Sequence, residues 1–83
     1  MIRHTEINDK ELRKRIKQNE ISFGGNLKPG IYGQLNCKWG KRMKRENRVF
    51  FRSEKEAINQ AFRPCGHCMR NEYKKWTYLI LRR

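Results

Sequence analysis

Apolar positions in this chain come in short groups separated by polar or glycine-containing stretches, and the spacing within each group predicts its element. In INDKELRKRIKQNEI, Leu12 and Ile16 lie four apart on one face, Asn8 is placed to cap, and Glu11 completes a variant capping box. A helix is expected from Asp9 to about Asn19. Its other face carries Lys10, Arg13, Lys14, Arg15 and Lys17, a pattern that by itself marks a solvated surface. The β-prone runs Ile21 to Phe23 and Ile31 to Leu35 flank Gly24, Gly25, Asn26, Pro29 and Gly30, which reads as a hairpin with the glycines in its connection.

RVFFR, residues 48 to 52, alternates as a strand, with Val49 and Phe51 on one face and Phe50 on the other. Ser53 and Glu56 then form a full capping box, and Ala57, Ile58 and Ala61 supply the inner face of a second helix. Pro64 ends it, because the residue before a proline disfavours helical geometry. A last helix is expected from Cys65 to about Trp76, with Met69, Tyr73 and Trp76 along one side. The tail TYLILRR extends that helix or docks as a strand. The fold class is therefore α+β, a single domain over residues 1–83 with an N-terminal helix, a short antiparallel sheet of about three strands and two C-terminal helices.

Size changes this picture, because 83 residues bury little surface and a chain so short calls for a staple. Three cysteines do not close a disulfide framework, and no apolar run resembles a signal peptide or a membrane span, so a cytoplasmic setting with reduced thiols is expected. Charge points to a partner. Lys and Arg number 21 against 8 acids, a formal net charge of +13, which suits a polyanion. Nucleic acid is favoured over anionic lipid, since the basic residues do not line one long amphipathic helix. The densest stretch, CKWGKRMKRENR, reads as an exposed loop whose Lys38, Lys41, Arg42, Lys44, Arg45 and Arg48, together with Arg63 further along the chain, are candidate phosphate contacts. Trp39 is a candidate stacking residue within it.

FRPCGHCMRNEYKKW places Cys65 and Cys68 two residues apart behind a proline. A redox pair belongs in a βαβ setting in a larger domain, and two idle thiols fit poorly with the Pro and Gly around them. Zinc fits better, because this spacing lets both sulfurs converge on one ion while intervening backbone N–H groups point at the thiolates. Cys37 is a third ligand that would pin the basic loop to the last helix. His4 is the candidate fourth ligand, with His67, water or a substrate group as the alternatives.

At these residues the sequence resembles the N-terminal zinc-binding domain of the Ada DNA-repair protein. GIYGQLNC, KRENRVFF and SEKEAINQAFRPCGHC follow in the order of that family's motifs, over about Gly30 to Cys68. The resemblance implies that Cys37, Cys65 and Cys68 match the second, third and fourth zinc cysteines. In the family the first cysteine is also the nucleophile that accepts a methyl group from a methylated DNA backbone phosphate. Gly33 stands at that position here, and Ala61 replaces the glycine usual before FRPC.

The expected function is a zinc-binding module that binds nucleic acid, DNA in the first instance, as a monomer and without the family's methyl transfer. Two other readings stay open. Cys37 could be the methyl acceptor, with a further ligand recruited from His4 or His67. Alternatively Trp76, Tyr78, Leu79, Ile80 and Leu81 form an apolar patch for a protein partner.

Overall fold

Five short strands form one sheet, and its second face and one edge carry the chemistry. The computed structural model describes residues 1–37 and 43–81. In chain order the elements are β1 (Ile2–Arg3), a 3-10 turn (His4–Glu6), α1 (Asp9–Lys17), β2 (Phe23–Asn26), β3 (Ile31–Gln34), a second 3-10 turn (Arg45–Asn47), β4 (Arg48–Phe51), α2 (Glu54–Asn59), β5 (Arg63–Pro64) and α3 (Arg70–Leu81). The strands lie in the order β1-β4-β2-β3-β5, antiparallel except for the β3–β5 pair. The α+β class expected from the sequence is therefore the one observed. The sheet is larger than the expected three strands, because β1 and β5 are two-residue strands that no alternation can announce.

The starts of α1 and α2 follow from their caps. The Asn8 side chain accepts a hydrogen bond from the Glu11 N–H at 2.8 Å, and Ser53 accepts one from the Glu56 N–H at 3.2 Å. The ends of α1 and α2 use the same device. Asn19 and Ala61 adopt left-handed backbone (φ 59 and 65), and the following N–H reaches back to close the last turn, Glu20 to the Arg15 carbonyl at 2.9 Å and Phe62 to the Ala57 carbonyl at 3.0 Å. Asparagine tolerates this conformation; alanine does not do so freely. Alanine at position 61 therefore carries a conformational cost that a glycine would avoid.

The hairpin differs from the sequence expectation. Gly24 and Gly25 lie inside β2, and the turn is Leu27 to Gly30, with Gly30 at φ +67. Gly25 is there because a side chain has no room: a Cβ would sit 2.9 Å from the Phe51 ring, 3.1 Å from the Ile31 carbonyl and 3.1 Å from a Val49 methyl. On that face Tyr32, Val49, Phe51, Ala57, Phe62 and Met69 form the core, with Phe51 and Phe62 edge to face at 4.9 Å. Val49 and Phe51 point into it and Phe50 to the opposite face, as the alternation requires. Ala57 is buried, but Ile58 is 55 % exposed and Ala61 is the helix terminator, so the expected inner face of α2 narrows to one residue.

The last helix begins at Arg70, five residues later than expected, because Cys65 to Cys68 form a turn; it runs through the tail to Leu81. Tyr78, Leu79 and Ile80 are exposed on it, and the Leu81 side chain lies outside the described part.

At the opposite edge of the sheet, Arg45 donates to Asp9 Oδ1 at 3.1 Å and to the Ile7 carbonyl at 2.9 Å, while His4 Nε2 lies 3.4 Å from the same Asp9 oxygen. The hydrogen bond from His4 and the charge of Arg45 hold the Asp9 carboxyl below its ordinary value of 3.8. A lowered carboxyl stabilises the fold fully above that ordinary value and loses the contribution as pH falls through the lower folded value. Acid titration of unfolding should therefore show a step below about pH 3.8 that Asp9→Asn removes. Replacing Ala61 with glycine should raise stability by about 1 kcal/mol, measured as a shift in the urea midpoint at constant slope.

Candidate metal centre

β3 and β5 run parallel side by side, and that pairing creates the site. The Arg63 N–H donates to the Gly30 carbonyl and the Cys65 N–H to the Tyr32 carbonyl, each at 2.8 Å. Cys65 is thereby fixed beside Gly33. The Cys65 carbonyl then accepts from the Met69 N–H at 3.0 Å, closing the turn that returns Cys68 to the same place. Cys37 arrives from the other direction, on a turn off β3 in which its N–H donates to the Gln34 carbonyl at 3.2 Å. The three Sγ atoms lie within 4.8 Å of one another.

These sulfurs fit a tetrahedral ion. Zn–S bonds of about 2.3 Å separate the sulfurs by roughly 3.8 Å, so modest side-chain rotations bring the three thiols onto a common centre. Backbone donors already face them: the His67 N–H lies 3.4 Å from Cys65 Sγ, and the Gln34 N–H 3.3 Å from Cys68 Sγ. Burial pushes the Cys65 thiol up, but hydrogen bonds from the Cys68 and His67 backbone, then from the Cys68 and Cys37 side chains, outweigh it and leave its pKa below the ordinary value. At Cys68 burial dominates and, with the neighbouring thiols, pushes the pKa up to about 12 despite the Gln34 N–H. Three thiolates cannot share this space without a cation, and a divalent ion supplies the missing charge.

A comparison with known protein families matches residues 11–71 to the metal binding domain of Ada. The chain belongs to the Ada metal-binding domain family. Zinc is its cofactor, in keeping with the three-cysteine group. Neither the curated proteins nor the solved structures contain a match to the chain.

Gly33, which the motif resemblance sets against the first cysteine of the Ada pattern, faces the cluster directly. A Cβ built there would lie 2.7 Å from Cys68 Sγ, 3.1 Å from Cys65 Cβ and 4.0 Å from Cys65 Sγ. The position is thus in the site, and only its side chain is missing. His4 is not in the site. It follows β1, three strands from β3 and so roughly 14 Å away by inter-strand spacing, and its ring packs edge-on against Phe50 at 5.3 Å and onto Asp9. The assignment of His4 as fourth ligand does not survive this topology. His67 is exposed, contributes its backbone N–H, and its imidazole is not among the converging donors.

The basic residues separate by role. Lys38, Trp39, Lys41 and Arg42 lie outside the described residues. Lys44 is exposed at the start of the second 3-10 turn. Arg45 is taken up by Asp9 and Ile7, and Arg63 lies over the stacked Tyr73 and Trp76 rings at 5.3 and 5.6 Å while donating to the Pro64 carbonyl. Both guanidinium groups therefore hold the fold together, a use that residue type alone does not disclose. Arg48 lines a cleft on the second sheet face, described below.

Removing metal with a strong chelator should abolish cooperative unfolding, because a core of this size is too small to hold β5 alone. Cys65→Ser should weaken zinc binding at least about tenfold, measured by competition with a chromophoric chelator.

Proposed function

We propose that the domain is a nucleic-acid-binding zinc module in which Cys37, Cys65 and Cys68 hold the ion and exposed basic residues grip the phosphate backbone of DNA. The family's methyl-transfer chemistry is lost in this reading. The observation that carries it is the pairing of a side-chain-free Gly33 against the thiols with a formal net charge of +13. Glycine has no nucleophile to offer. Cys37, the alternative acceptor, is 7 % exposed, so a backbone phosphotriester has poor access to its sulfur.

The Arg45 bridge sets the end of the basic stretch against the start of α1, whose Lys10, Arg13, Lys14 and Lys17 are exposed. The helix thus joins Lys44 and the basic loop as a source of phosphate contacts. Such binding is dominated by counterion release and is steeply salt dependent.

With about five phosphates neutralised, affinity for a labelled DNA duplex should fall several hundredfold between roughly 50 and 200 mM salt, read by fluorescence anisotropy. Lys44→Ala should lower the logarithmic salt slope by about one. Incubation with methylphosphotriester DNA should leave the intact mass unchanged. A gain of one methyl on any cysteine overturns the loss of transfer, and absence of DNA binding at 50 mM salt overturns the partner.

A further inference from the structure

The second face of the sheet carries a cleft of about 230 Å³ that opens onto the thiols. Its floor follows from strand register. Gly24 pairs with Gly33 on one side and with Phe50 on the other, so two adjacent positions in one cross-strand row lack side chains. Ile31, Leu35, Met43 and Phe50 wall the space, and Cys37 and Cys65 lie at its sulfur end.

The two glycines differ in what they tolerate. A Cβ at Gly33 collides with Cys68, whereas one at Gly24 would meet only Leu35 Cδ2 and the Val49 carbonyl, both at 3.8 Å, which is ordinary contact. Packing does not demand a glycine at position 24; its effect is to keep the cleft open. Asn26 lies two residues further along β2, roughly 7 Å away by strand rise. It lines the same cleft, and its Oδ1 is buried with no hydrogen-bond partner among the described residues. A buried acceptor of this kind is costly to leave unmatched.

We propose that this cleft binds a small cysteine-type thiol. Its sulfur sits beside Gly33 as the fourth donor, its apolar body lies over Gly24 against Phe50 and Leu35, and its amide N–H donates to Asn26 Oδ1. The inference rests on the reading of Cys37, Cys65 and Cys68 as metal ligands. Three protein sulfurs would leave one position of a tetrahedral ion open, and a soft thiolate would suit the three already there. The thiol enters as thiolate, its proton passes to solvent, and no carbon bond forms or breaks. Arg48, which also lines the cleft, places positive charge near a site that gains negative charge on binding.

The full chain is loaded with one equivalent of cobalt(II) and titrated with N-acetylcysteine, following the sulfur-to-cobalt charge-transfer absorption. A saturable increase is expected in the natural chain. Gly24→Val should leave the cobalt spectrum without thiol unchanged and weaken thiol binding at least tenfold, because the added methyl groups fill the cleft. In Gly33→Cys the added thiol should produce no increase. Normal cobalt uptake with no response to thiol overturns this inference alone, as does equal thiol affinity in Gly24→Val. Failure to take up cobalt through sulfur overturns the metal reading and this inference with it.

Discussion

The convergence of three sulfurs from positions 37, 65 and 68 is the constraint on which the remaining structure depends. It joins the end of β3, the end of β5 and the approach to α3. Among the described residues the main core cluster contains six buried residues, and none of them comes from within α3. Closing a loop of nearly thirty residues costs conformational entropy that so small a core does not easily offset. An ion gripping all three thiols would meet that cost at one point, and the strained backbone at Ala61, one residue ahead of Phe62, would be tolerated in the segment so held.

Much of this could be read from the chain because local rules and tertiary packing agree there. Asn8 with Glu11 and Ser53 with Glu56 announce helix starts that packing does not override. Val49, Phe50 and Phe51 alternate between faces as an extended strand must, and β4, an interior strand between β1 and β2, buries all three. Cys65 and Cys68 could be paired from their spacing, while Cys37, far off in sequence, was added only by the need for a third ligand and by the resemblance to the Ada motifs, and the backbone brings its sulfur within 4.8 Å of the other two. The strand β5 left no trace, since two residues have no period and one is a proline. Gly24 and Gly25 were legible as glycines but not as strand residues: the rule that places glycine in turns gives way when Phe51 and Val49 crowd the neighbouring strand. His4 shows the same limit for chemistry. Its side chain suits a metal, and strand order alone decides that it meets Phe50 and Asp9 instead.

Charge on this surface is partly structural. Of the arginines that composition would assign to a polyanion, Arg45 stitches the second 3-10 turn to the N-terminal region, and Arg63 is laid across two aromatic rings of α3. Guanidinium groups suit this use because a planar, weakly hydrated cation can stack and donate at once. The charge left to face a partner is correspondingly richer in lysine, whose ammonium serves a phosphate backbone as a point charge.

Pro64 sits at the outer edge of the sheet with its ring where a donor would otherwise be. β5 is anchored by the amides on either side of it, those of Arg63 and Cys65, so the edge presents a proline where a ladder could have continued. A sheet ending in this way offers little purchase for a further strand. The short edge that locates the Cys65 sulfur thus also discourages the chain from self-associating by strand addition.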